Sequence, residues 1–97
     1  MSTKQDFLVG KAHNFRQYIL MYKPQATMLS LLEGFNESML IPTIAAVVVP
    51  IVKAGKQEAA VRDFMAKLDV PEQEQAAVAD KLVRYLNMFS EVLLATA

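Results

Sequence analysis

The sequence is 97 residues long, which is the length of one domain. Its 10 Lys and Arg residues balance 10 Asp and Glu residues, so the formal net charge is zero and a strongly basic nucleic-acid binder is excluded. There is no cysteine, which excludes a disulfide scaffold and cysteine-based zinc sites. Hydrophobic residues make up 54% of the chain, so we expect a large core for this length and apolar surface left over for a partner.

The first residues lack the pattern of a secretory leader. A leader has an apolar stretch directly after a basic start, whereas Lys4, Asp6 and Lys11 interrupt this segment. We therefore predict a cytoplasmic protein. Membrane association is the alternative, and it depends on the uncharged segment described below.

The first predicted helix runs from Ser2 to Lys23. Ser2 and Gln5 have the spacing of a capping box, and Pro24 ends the helix because it disfavours helical geometry in the preceding residue. The apolar residues recur in alternating steps of four and three, which places them on one stripe. They are Leu8, Ala12, Phe15, Ile19 and Tyr22.

The second predicted helix covers about Gln25 to Leu40 and is apolar around most of its circumference. Its narrow polar face consists of Ser30, Glu33, Asn36 and Glu37. Gly34 weakens a helix by about 1 kcal/mol relative to alanine. A residue this small also allows a second helix to cross closely.

Residues 38–52 carry no charge. The valines in this segment favour a strand, but the chain offers no second strand for pairing. We therefore predict a buried helix from about Pro42 to Ala54, kinked at Pro50 and stopped by Gly55.

Two further helices are predicted in the second half of the chain. The fourth runs from about Lys56 to Leu68, and the last runs from about Val70 to Ala95. Asp69 has the position of an N-cap for the last helix. The apolar stripe of the last helix consists of Val78, Leu82, Tyr85, Phe89 and Val92.

These elements predict an all-α protein: a compact bundle of four to five helices in a single domain over residues 1–97.

Charge is unevenly distributed along the chain. Residues 1–23 have a net charge of +3 from Lys4, Lys11, Arg16 and Lys23 against Asp6, and residues 69–97 have a net charge of −3 from five acidic and two basic residues. Either the first and last helices pack side by side, or subunits pair head to tail.

No pattern in the sequence predicts a catalytic, metal or cofactor site. His13 is the only histidine and has no companion ligand at metal-binding spacing. Glu33 and Glu37 stand one helical turn apart, which suits acid–base chemistry but is more typical of the solvated edge of a helix. The sequence therefore predicts that the protein is not an enzyme and requires no cofactor.

The apolar surplus predicts a protein–protein interaction or assembly module, such as a self-associating small subunit or adaptor. We expect a protein partner, in the first place a second copy of the chain in a homo-oligomer, and no nucleic acid. The alternative is a membrane-active or peripheral membrane protein that inserts through residues 38–52. The candidate interface residues are Ile44, Val47, Val48, Ile51, Met28, Phe35 and Met39.

Overall fold

Five helices make up the computed structural model, which describes residues 3–95. In chain order they are α1 (Thr3–Leu20), α2 (Ala26–Glu33), α3 (Leu40–Lys53), α4 (Gln57–Met65) and α5 (Gln75–Leu94). No strand occurs within residues 3–95, and the radius of gyration of 13.0 Å is that of a compact chain of this length. The predicted all-α bundle is confirmed.

Helix α1 buries the predicted stripe, and Leu8, Ala12, Phe15 and Ile19 are all in the core. The helix ends at Leu20, three residues before the predicted end. Lys23 has a φ of 51°, in the left-handed region, directly before Pro24. The predicted capping residue Ser2 lies outside the described residues.

Helix α2 ends at Glu33, so the prediction that it continues to Leu40 is wrong. The side chain of Asn36 explains the early end, because its Oδ1 accepts hydrogen bonds from the backbone N–H groups of Ser38 and Met39 at 2.9 and 3.0 Å. An amide side chain that bonds nearby backbone in this way competes with helical hydrogen bonds. The close crossing that Gly34 allows is present, since a Cβ atom built on Gly34 would lie 2.5 Å from Oγ1 of Thr43.

Helix α3 contains the uncharged segment and begins at Leu40, two residues before the predicted start. Its middle turn, Ile44–Val48, is a π-helical turn, in which the N–H of Val49 bonds to the carbonyl of Ile44. This wider turn directly precedes Pro50, which has no N–H and crowds the preceding turn of a regular α-helix.

Gly55 ends helix α3 as predicted. It has a φ of 67°, its N–H bonds to the carbonyl of Val52, and the N–H of Lys56 bonds to the carbonyl of Ile51. These two bonds form a Schellman motif, which requires a residue in the left-handed conformation, and glycine adopts that conformation without strain.

Helices α4 and α5 are shorter than predicted. Asp69 is exposed and does not cap α5, which follows a 3₁₀ turn at Glu72–Glu74. Instead, the N–H of Asp69 bonds to the carbonyl of Tyr22 at 2.8 Å, and the N–H of Gln25 bonds to the carbonyl of Lys67 at 2.9 Å. These two bonds join the turn after α1 to the turn after α4.

Helices α1 and α5 pack side by side and antiparallel. Near one end, Lys4 Nζ donates to the carbonyl of Leu93 at 3.2 Å, and near the other end Tyr22 contacts Glu74. Between these ends, the Phe15 ring lies 5.1 Å from the Tyr85 ring and 5.5 Å from the Phe89 ring. The contact is therefore aromatic, and neither of the two ion pairs within residues 3–95, Lys67–Asp63 and Arg84–Asp80, joins α1 to α5.

Candidate functional site

Four of the seven predicted interface residues lie in the core of the chain itself. Met28, Phe35, Ile44 and Val48 are between 0 and 2% exposed. Ile44 and Val48 are buried because α3 turns one apolar face toward α5. Phe35 is buried because its ring packs against the rings of Phe15 and Phe89. In the folded single chain these four residues therefore present almost no surface to a partner.

The other three predicted residues reach the surface to different degrees. Val47 and Ile51 are half-buried, and Met39 is 50% exposed. The outward face of α3 carries small apolar residues and no charge before Lys53. It consists of Pro42, Ala45, Ala46 and Pro50, all of which are exposed.

An open groove of about 490 Å³ runs between α1 and α2. Its apolar lining includes Leu20 and Leu29, which are 44 and 43% exposed, and the buried Leu32. Sequence analysis missed this pair, because Leu20 lies off the regular stripe of α1 and Leu29 is one of many apolar residues in α2. An apolar residue outside the buried stripe of a helix faces the surface, so this position is the signal that could have identified them.

The same groove carries one positive and one negative side chain. Arg16 of α1 and Glu33 of α2 both line it, together with Asn36. Arg16 and Glu33 do not pair with each other, since the ion pairs within residues 3–95 are Lys67–Asp63 and Arg84–Asp80. The groove, defined here by Arg16, Leu20, Leu29, Leu32, Glu33 and Asn36, is called the α1–α2 groove below.

The structure separates the residues that suggested acid–base chemistry. Glu33 is the last residue of α2 and Glu37 lies in the following turn, so they do not stand one helical turn apart on one helix, as the sequence predicted. Both are exposed, as is His13. Within the described part of the chain, no group of three or more His, Cys, Asp or Glu side chains is placed to hold a metal ion.

One partly buried hydrogen bond joins the turn after α1 to the start of α5. The Tyr22 hydroxyl donates to Oε1 of Glu74 at 2.8 Å, and the Tyr18 ring packs edge-on against the Tyr22 ring at 5.6 Å. The hydrogen bond to Glu74, followed by burial, raises the pKa of Tyr22 from the ordinary 10.0 to about 12. The phenol therefore stays protonated well above neutral pH.

No single helix in residues 3–95 is both long and apolar enough to cross a membrane. Two consecutive helices, Leu40–Lys53 and Gln57–Met65, reach that length and apolarity together, but they meet at an angle of 119°.

Comparison of the chain with protein-family models, curated proteins and solved structures gave no match.

Proposed function

We propose that this chain is a non-enzymatic protein–protein interaction module that self-associates through the α1–α2 groove, as a small subunit or adaptor of an assembly. The observation that carries the proposal is that two exposed leucines, Leu20 and Leu29, line the same open groove. Removing apolar surface from water releases about 25 cal/mol per Å². Apolar surface that two helices share and leave uncovered is typical of an interaction site.

The charges of the groove support a second copy of the chain as the partner. In a twofold-symmetric dimer the same surface meets itself. Arg16 of one copy can then face Glu33 of the other copy, and the reverse pair forms at the symmetry-related position. A surface that carries one cation and one anion beside an apolar centre is therefore complementary to itself, and charge fixes the orientation of the two copies.

Met39 is the predicted interface residue that agrees with this location. Its backbone N–H bonds to the side chain of Asn36, which lines the groove, and its own side chain is half exposed. We therefore place Met39 at the edge of the interface, where it adds flexible apolar surface.

The test is a measurement of molar mass in solution by light scattering over a wide concentration range. We expect the native chain to exceed the 10.8 kDa of the monomer, and we expect Leu29→Asp to lower the mass to that of the monomer. Leu94→Asp is the matched control, because Leu94 is similarly exposed, at 50%, and lies at the far end of α5. A native chain that stays monomeric at every concentration contradicts the proposal.

Charge reversal tests the proposed orientation. Arg16→Glu and Glu33→Arg alone each place like charges opposite one another in the twofold dimer, so each should weaken association by about tenfold or more. The double variant Arg16→Glu/Glu33→Arg places opposite charges together again and should restore association. A double variant as weak as the two single variants would exclude the twofold arrangement.

Membrane association is the second candidate, and the uncharged outward face of α3 favours it. Lys53 follows directly and would suit an interfacial position. Flotation with liposomes of anionic lipid separates the two proposals. A self-associating module stays in the aqueous fraction, whereas a chain that inserts through residues 38–52 floats and loses flotation when Ala46 on that face is replaced by Asp.

A further inference from the structure

A second depression, of about 220 Å³, lies between α1 and α5 and shares no residue with the α1–α2 groove. It is lined by Lys11 of α1 and by four residues of α5, which are Lys81, Arg84, Tyr85 and Met88. Three of its five lining residues are cationic, although the chain as a whole has no net charge. This surface is called the cationic depression below.

The positive charges of the cationic depression are mostly unneutralised. Lys81 Nζ lies 4.6 Å from the centre of the Tyr18 ring, and Lys11 Nζ lies 5.4 Å from the centre of the Phe7 ring. Aromatic faces hold ammonium groups in place but contribute no negative charge. Within residues 3–95 the only carboxylate paired with these cations is that of Asp80, 2.9 Å from Nε of Arg84.

An apolar wall lies beside these cations. The Tyr85 ring packs against the rings of Phe15 and Phe89, at 5.1 and 6.0 Å between ring centres. Met88 is half-buried and completes this wall. Because the Tyr85 ring is fixed by two core aromatic rings, the wall is already formed before any ligand arrives.

We propose that the cationic depression is a binding site for a small aromatic carboxylate. The carboxylate would interact with Lys11, Lys81 and Arg84, among which the guanidinium suits a planar two-oxygen group. The ring of the ligand would lie against Tyr85 and Met88. Sites for drug-sized ligands have volumes of about 300–1,000 Å³, so a depression of about 220 Å³ selects a ligand of one or two rings.

Tyr85 is suited to this role because burial, followed by the neighbouring Tyr18, raises its pKa. A phenol of ordinary pKa is already neutral at physiological pH, and the raised pKa extends this neutral range further, so Tyr85 adds no negative charge that would repel the ligand. The cations across the depression also repel one another, and a bound carboxylate would relieve this repulsion.

The test uses 2-naphthoate as the probe and its neutral analogue 2-naphthamide as the matched ligand. Titration is followed by the amide chemical shifts of the isotope-labelled full chain. We expect 2-naphthoate to shift the amides of Lys81–Met88 and to bind at least tenfold more tightly than 2-naphthamide. Equal affinities for the two ligands, or no binding of 2-naphthoate, would overturn the proposal.

Substitutions locate the site. Lys81→Gln and Arg84→Gln should each weaken 2-naphthoate binding by about five- to tenfold. Lys53→Gln and Lys56→Gln should leave it unchanged, because neither residue lines the cationic depression. All four residues are exposed, so these variants should keep the circular dichroism spectrum of the native chain. Weakening by the two control variants to the same extent would show nonspecific attraction of anions and would overturn the assignment.

Discussion

Because of the Tyr22 hydroxyl, the stability of the folded chain changes with pH in the alkaline range. Its pKa is about 12 in the folded chain and close to 10.0 when the chain is unfolded. A phenol with a raised folded pKa contributes stability that is fully present below pH 10, and this contribution is lost as the pH rises toward 12, because the unfolded chain releases the proton first.

We therefore expect the urea midpoint of the native chain to fall between pH 10 and pH 12. Tyr22→Phe should show a smaller fall over the same interval, because this variant has no proton to release at that position. Some decline should remain in the variant, since the pKa of Tyr85 is raised as well. Parallel curves for the native chain and Tyr22→Phe would show that the Tyr22–Glu74 hydrogen bond does not control this interval.

The residues of the candidate site could be predicted only in part from the sequence. Met28 and Leu29 are neighbours in α2, yet Met28 is 1% and Leu29 is 43% exposed. A helix of eight residues with apolar side chains at most positions does not define a single buried face from its sequence. The longer α1 alternates clearly between apolar and polar positions, and its core residues were predicted correctly.

The contact between the end of α2 and α3 depends on Gly34. A Cβ atom at this position would lie 2.5 Å from Oγ1 and 2.9 Å from Cγ2 of Thr43. Gly34→Ala should therefore lower the free energy of unfolding by about 1–3 kcal/mol, because the overpacked contact outweighs the stabilisation that alanine provides by restricting the unfolded chain.

Two variants control this measurement by chemical denaturation. Gly10→Ala should be neutral or stabilising by up to about 1 kcal/mol, since α1 is regular there and the added Cβ meets no atom within 4 Å beyond the local backbone of α1 and the neighbouring residues. Gly34→Ala should also be less harmful in a Thr43→Ala background, where both clashing atoms are absent. If Gly34→Ala is equally harmful with and without Thr43, the backbone at position 34 and not the crossing accounts for the effect.

The boundaries of the elements were harder to predict than their existence. The apolar pattern continues from α2 into α3, so periodicity alone joins the two segments at about residue 40. The helix ends earlier because the Asn36 side chain bonds the backbone of the turn, and this competition depends on geometry that the sequence does not show. The stop at Gly55 was predictable, since glycine is the usual residue at that position of a Schellman motif.

For the stability of the whole molecule, the burial of Val48 is the feature that makes the uncharged segment part of the core. Val48 is 1% exposed, so Val48→Asp places a carboxylate among core side chains. The expected loss is on the order of several kcal/mol, a large part of the roughly 5–15 kcal/mol that stabilises a domain. We expect the variant to lose helicity by circular dichroism.

Ala46→Asp is the matched control for Val48→Asp. Ala46 lies in the same π-helical turn but is exposed, so the variant should keep the native circular dichroism spectrum. Retained helicity in Val48→Asp, with a fall in molar mass alone, would instead place Val48 at a subunit interface.

The arrangement of the helices sets the limit of what the sequence could predict for the whole molecule. The number of helices and much of the core follow from periodicity within each segment. The cationic depression does not, because Lys11 and Lys81 come together only when α1 and α5 pack antiparallel. Periodicity describes one helix at a time and carries no information about which helices become neighbours.

The two backbone hydrogen bonds between the turn after α1 and the turn after α4 close a loop. The segment between Gln25 and Lys67 is roughly 40 residues long and contains α2, α3 and α4. While Gln25–Lys67 and Asp69–Tyr22 remain bonded, this segment is tied at both ends, so a partial opening within it gains less chain entropy than an opening of free ends would gain. Two pairs of peptide groups thus act on the three middle helices as a crosslink, although the chain contains no cysteine.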